Sequence, residues 1–314
     1  MKMKFSFVAA AVAAVIGSSV AAEELKFANF TPPFHTINAS VIELMNSEVS
    51  AATGGALTVR GYHGGELGAG PVEQYVRVLQ GVADVGWGLP GYTSSQFGKT
   101  MIAELPGAID DGVPGYIGLL AAYNDHLAGE FPNVMIMRNK EIHSPADLAG
   151  LKIRVAGATA AEVAVALGAT PVQMPISEVY NALQTGLIDG VFTGSSTLID
   201  FKLDEVADAI ILGAPLGRLS FFTVMTQAKY DSLPADQQAA IDAVAGEVLS
   251  KSAEEAWYAT ADASLEAARA DSKNVMVDLT ADEIAAFSAA IQGVVDAYVA
   301  SVDGAAALAA MRGE

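Results

Sequence analysis

Two rhythms take turns along most of this chain: short runs in which apolar and polar positions alternate, and longer runs in which apolar positions recur every three or four residues. "LKFANF" (25–30) reads as a strand, and "INASVIELMNSEVSAATGG" (37–55) as a helix with Val41, Leu44 and Met45 on one side and a Gly54-Gly55 stop. "LTVRGY" (57–62) is a second strand, "GPVEQYVRVLQGV" (70–82) a second helix and "DVGWGL" (84–89) a third strand. Residues 151–194 repeat the order as "LKIRV", "TAAEVAVALGA", "PVQM", "ISEVYNALQTG" and "DGVFTG". The third strands echo each other most closely. "LQGVADVGWG" (79–88) and "LQTGLIDGVFTG" (183–194) set Asp84 opposite Asp189 and Trp87 opposite Phe192. Strands alternating with helices imply mostly parallel sheets covered on both faces. Two such units in one chain predict an α/β protein of two similar lobes.

After Ser232 the pattern changes. Residues 233–271 run for more than 30 positions without a proline beyond Pro234, which predicts one helix on the order of 45–50 Å long. Such a helix could brace both lobes, with Gly246 and Trp257-Tyr258 as places where it bends or packs. "TADEIAAFSAAIQGVVDAYVASV" predicts a closing helix, with Thr280 and Glu283 spaced as a capping box.

The first 22 residues are set apart. "MKMK" is a positive start, "FSFVAAAVAAVIG" an apolar stretch too short to span a bilayer, and "SSVAA" a small-residue cleavage region. This reads as a secretory signal peptide (1–22), cut after Ala22. No other stretch reads as a membrane anchor, so an exported, soluble protein is expected. The chain carries 17 Lys and Arg against 36 Asp and Glu, which makes nucleic acid and anionic membrane surfaces poor partners. With no cysteine, disulfides, thiolate catalysis and Cys-based metal sites are excluded.

Catalytic patterns are absent too. His35, His63, His126 and His143 are scattered with no metal-binding spacing, and no serine sits in a GxSxG turn. "YHGGELGAG" has glycines after a strand but lacks the phosphate-loop lysine. No cofactor, metal or catalytic residue is expected. The residues argue for binding. In open α/β sheets ligands sit beyond the carboxyl ends of the strands, where Arg154, Trp87, Phe192 and Thr193 fall.

"DLAGLKIRVAG" (147–157), "LGATPVQMPISEVYNALQTGLIDG" (167–190) and "KLDEV" (202–206) resemble the DctP-type solute-binding proteins of tripartite ATP-independent periplasmic (TRAP) transporters. "GGELG", "VLQGVADVGWG", "AELPG" and "FFTVMTQAKYDSLPADQQAAI" extend the likeness from about residue 25 to 290. The resemblance implies a two-lobed periplasmic binding-protein fold, type II-like, with a long helix bridging both lobes. It also implies a monomer that captures a small organic acid and delivers it to a small and a large membrane subunit. In that family the arginine of the "LKIRV" strand pairs with the ligand carboxylate, which assigns Arg154 as the anchor. His35, Tyr92, Met174 and Phe222 join Trp87, Phe192 and Thr193 as the expected ligand-lining set. The lobes are expected at 23–135 plus 217–255 and at 136–216 plus 256–314.

Two departures bear on the ligand. Relatives carry a longer stretch between the strand "VMIM" and "NKEIHSPADL", where this chain has only Arg138 at the junction. After the "DG" turn this chain has "VFTGSS", which lacks the acid or amide many relatives carry. A wall of Phe192, Thr193 and Ser195 favours a monocarboxylate or short dicarboxylate with few hydroxyls. Alternative readings are the binding protein of an ATP-driven importer, a ligand sensor, or an enzyme on the same scaffold with His35 as its base.

Overall fold

The computed structural model describes residues 22–68, 70–109, 113–122 and 127–314. The body of the expected signal peptide, Asp110-Asp111 and His126 lie outside them. The first rhythm becomes β1 (Glu23–Ala28), α1 (Leu44–Ala52), β2 (Leu57–Tyr62), α2 (Gln74–Leu79) and β3 (Val85–Gly88), followed by α3 (Gly115–Ala122) and β4 (Leu127–Pro132). The second becomes β5 (Val134–Met137), β6 (Lys152–Val155), α4 (Ala158–Ala166), β7 (Thr170–Gln173), α5 (Ile176–Thr185), β8 (Gly190–Thr193), α6 (Thr197–Asp200) and β9 (Ala209–Leu212). The chain then returns through β10 (Arg218–Met225), α7 (Gln227–Ser232), α8 (Ala235–Val244) and α9 (Glu247–Ala270). It closes with β11 (Val275–Asp278), α10 (Ala281–Ser301) and α11 (Ala305–Met311).

These strands form two sheets, ordered β2-β1-β3-β10-β4 and β11-β9-β5-β8-β6-β7. Each holds one antiparallel strand, β10 in the first and β5 in the second. Those are the strands the chain enters on crossing from the other sheet. The crossings are tied together where the Asn133 N–H donates to the Gly217 carbonyl (3.0 Å).

The internal echo has a structural cause. The Asp84 carboxylate accepts from the Lys26 backbone N–H (2.8 Å), while the Asp84 N–H donates back to the Lys26 carbonyl (2.9 Å). Asp189 makes the same pair with Lys152, each bond at 2.8 Å. In each lobe an aspartate thereby pins the start of its third strand to the first strand, and pairing puts Trp87 and Phe192 at matching registers.

The long C-terminal stretch departs from the single helix that its spacing predicts. It breaks at Ala245-Gly246, where Gly246 takes a positive φ of 69° that a side chain disfavours. The remaining 24-residue α9, about 36 Å long, still spans the molecule. Leu249, Ala253 and Trp257 belong to the first lobe's core, and Ala268 belongs to the second's. The capping box forms as expected: Thr280 accepts from the Glu283 N–H, and Glu283 accepts from the Thr280 N–H (2.7 Å).

The assignment of 256–314 wholly to the second lobe needs correction. Phe287 and Ile291 of α10 pack on the second lobe, but Tyr298, Val299 and Met311 pack with Met101, Leu105 and Phe222 of the first. Like α9, α10 bridges both lobes. It is long and apolar enough by composition to cross a membrane, yet its large side chains Phe287, Ile291 and Tyr298 are buried in these cores and its exposed positions are mostly alanine.

Candidate ligand-binding site

Arg154 lies on β6, between the edge strand β7 and β8 of the second sheet, and is 1% exposed although nothing acidic among the described residues pairs with it. Side chains alternate across a strand, so Ile153 and Val155 enter the core on one face and Arg154 projects from the other. Its Nε donates to the Met174 carbonyl (2.9 Å), and one Nη donates to the Tyr92 hydroxyl (3.3 Å). A guanidinium has five N–H donors, so about three are left for another acceptor. Among the described residues, no carboxylate lies within ion-pairing distance of it. Burial accordingly pushes its pKa down, with the Tyr92 oxygen opposing. A buried cation without a counter-charge is costly, and an anion beside it removes the cost.

Tyr92 comes from the first lobe, in a 3-10 segment (Pro90–Gln96) after β3. Its hydroxyl accepts from Arg154 and from the Ile176 N–H (3.0 Å), both in the second lobe. With both lone pairs used, its O–H remains free to donate. Burial raises its pKa, so the phenol holds that proton at neutral pH.

The cavity in front of Arg154 holds about 460 Å³ of non-atom space, open solvent at its mouth included. Its walls are aromatic. Trp87 stacks on Phe30 (ring centroids 4.9 Å apart), and Phe221 stacks on Trp257 (5.3 Å). The Trp87 indole N–H is held by the Asn29 side-chain oxygen (2.9 Å), which keeps its ring against the cavity. His35 meets Phe201 and Trp257 edge-on at 5.3 and 5.6 Å. Thr193 at the end of β8 and Gly194, Ser196 and Thr197 beyond it complete the wall. Arg154 is the one Lys or Arg among the described lining residues.

The structure therefore gathers Arg154, Trp87, Tyr92, His35 and Thr193 around one cavity. It does not bring Phe192 or Phe222 there. Phe192 shares its face of β8 with the core of Ile153, Val155 and Phe287, opposite the face of Arg154 and Thr193. Phe222 turns toward Phe97 and Met101, while its neighbour Phe221 faces the cavity. In both cases strand parity decides, and both faces of the sheet are apolar, so hydrophobicity gives no sign of which residue faces in. Met174 contributes its carbonyl, and its side chain packs into the second lobe's core. Ser195 is buried but off this wall, and Arg138 is exposed with its backbone N–H on the Asp189 carbonyl. Sequence reasoning missed Phe30, Phe201, Phe221 and Trp257. Trp257 stands on α9 at the cavity, so the bridging helix itself supplies a wall.

Residues 133–301 match the family model DctP, described as bacterial extracellular solute-binding protein, family 7. The C4-dicarboxylate-binding periplasmic protein DctP of Rhodobacter capsulatus is 34% identical over 105 residues, which span 33% of this chain and 31% of that relative's length. The crystal structure of a TRAP periplasmic solute-binding protein from Bordetella bronchiseptica, with bound (R)- and (S)-mandelate, has a TM-score of 0.83 at 27% identity. It covers 93% of this chain and 98% of that one. A TRAP solute-binding protein from an unidentified marine microbe, specific for aromatic acid ligands and solved with metahydroxyphenylacetate, has a TM-score of 0.84 at 28% identity, covering 93% and 98% of the two chains. The architecture, the repeated lobes and the matched half of the sequence agree: this chain belongs to the DctP family of TRAP solute-binding proteins.

Proposed function

We propose that this protein is the exported solute-binding subunit of a TRAP transporter, and that it captures a small aromatic monocarboxylate for two membrane subunits. The observation that carries this is the buried Arg154, with three unused N–H donors, at the head of an aromatic-walled cavity. A carboxylate would take the guanidinium fork and the Tyr92 O–H, and a flat apolar body would lie against the wall that Trp87, Phe221 and Trp257 form together. The ligands of the Bordetella and marine relatives, both aromatic acids, support this reading. β1 begins at Glu23, whose carboxylate pairs with Lys229 (2.5 Å), in keeping with a mature chain that starts after Ala22.

The Rhodobacter relative suggests a C4-dicarboxylate as the second reading. A second carboxylate would need a second cation, and the described cavity wall offers Arg154 alone. Catalysis by His35 is disfavoured, because burial lowers its pKa to about 3, which makes it a weak base at neutral pH. Thermal shift followed by calorimetry should rank benzoate, mandelate and phenylacetate above succinate and glucuronate. A screen in which succinate or a sugar acid is the best stabiliser would overturn the ligand class. If no acid raised the melting temperature, acid capture itself would fall.

A further inference from the structure

His35 sits among aromatic rings with one ring nitrogen hydrogen-bonded and the other 3.7 Å from the Asp200 carboxylate, beyond hydrogen-bond distance. Its Nδ1 accepts from the Ile37 backbone N–H (3.1 Å), so the ring proton belongs on Nε2. That N–H is buried, and among the described residues no acceptor lies within 3.5 Å of it. Asp200 is the nearest charged group, its Oδ2 3.7 Å away, and it takes its hydrogen bonds from the Thr36 hydroxyl instead. Asp200 is not on the cavity wall, whereas His35 is. The neighbours of His35 are Trp87, Phe201 and Trp257, which offer ring faces and edges and no strong acceptor. They share no member with the direct partners of Arg154, Tyr92 and Met174. The cavity wall thus carries donors from both Arg154 and His35.

Resting on the carboxylate reading above, we infer that the pocket selects aromatic acids bearing a second, oxygen-based acceptor on the ring or its side chain, and that the His35 Nε2–H is the group that reads it. An acid without that oxygen leaves the buried N–H unpaired, and an acid that has it removes the penalty. The imidazole is suited to the task because burial keeps it neutral, so it donates one hydrogen bond without carrying a charge into the apolar wall.

The test compares benzoate with meta- and para-hydroxybenzoate by calorimetry on the wild-type protein and on His35→Phe and His35→Gln. Wild type should bind one hydroxylated isomer about ten-fold tighter than benzoate. His35→Phe should lose the preference, so that its affinities for the hydroxy acid and for benzoate become about equal, while His35→Gln, which keeps an N–H, should retain part of it. In wild-type protein labelled with ¹⁵N-histidine, the Nε2 proton should move downfield with the preferred hydroxy acid and not with benzoate, a readout that needs no variant. An unchanged preference in His35→Phe, a wild-type preference for benzoate, or an unmoved Nε2 proton would each overturn the inference while leaving the aromatic-acid reading intact. Failure of wild type to bind any of the three acids would instead remove both.

Discussion

At the scale of single residues, Arg154 combines a charge requirement with a shape requirement. Its Nε is fixed on the Met174 carbonyl, so the outer fork has one orientation and meets a carboxylate through parallel N–H groups. Arg154→Lys keeps the charge but loses the fork, the Met174 bond and the Tyr92 bond. It should weaken binding of the preferred acid at least ten-fold. Arg154→Ala should cost roughly 2–5 kcal/mol of binding energy. Arg154→Ala should leave the ligand-free melting temperature at or above wild type, because it removes a buried cation that nothing compensates without ligand. Calorimetry and thermal denaturation on the same samples would check both halves. A lysine variant binding within two-fold of wild type would refute the fork.

At the scale of elements, buried acids tie segments together at a pH-dependent cost. Glu104, at the end of the 3-10 segment Thr100–Glu104, accepts from the Ser220 N–H (3.2 Å) and hydroxyl (2.7 Å) of β10. Burial raises its pKa from 4.5 to about 7 against the pull of those donors. The native state therefore holds a proton that the unfolded chain releases between these values. The stability this contributes is full below pH 4.5 and is lost as pH rises through about 7. Glu104→Gln keeps an acceptor for Ser220 and removes the titration. Relative to wild type it should gain on the order of 3 kcal/mol between pH 4.5 and pH 8 as an upper figure. Urea denaturation of both proteins across that range isolates Glu104, because His35 and Asp200 titrate in both and cancel in the difference. Parallel pH profiles would exclude the assignment.

At the scale of the whole molecule, the lobes meet where neither carries a side chain. Gly91 lies on the first lobe after β3, and Gly157 precedes α4 on the second. A Cβ placed on Gly157 would stand 2.6 Å from the Gly91 Cα, a contact that backbone cannot relieve by a rotamer change. Gly157 has an extended φ of −151°, so alanine brings no local strain. The clash lies at a contact between the lobes, where the Ala158 N–H also reaches the Ser94 hydroxyl (3.3 Å) and Thr36 reaches Asp200, so parting the lobes would relieve it. Gly157→Ala should fold with an unchanged ligand-free melting temperature yet bind ligand about ten-fold or more weakly, through faster release. Its radius of gyration in small-angle scattering should stay at the open value when ligand is added. Wild-type affinity in this variant would mean that closure does not bring these backbones together.

The local pattern of the sequence was enough to place most elements, since helical and strand periods are properties of neighbouring residues. It also exposed the repeated lobes through Asp84 and Asp189, while Arg154, which alternates with Lys152 along its strand, was singled out by the family resemblance. It did not reveal which of two adjacent phenylalanines faces the ligand. Both faces of each sheet are covered by core, so parity left Phe192 and Phe222 as plausible as Thr193 and Phe221 until the sheets were packed. Gly246 marked the break in the long helix, but the return of α10 and α11 to the first lobe rests on long-range contacts that no window of sequence contains. The aromatic cavity is of the same kind. His35, Trp87, Phe201, Phe221 and Trp257 span more than 200 positions and become one wall only when α9 is laid across the two lobes.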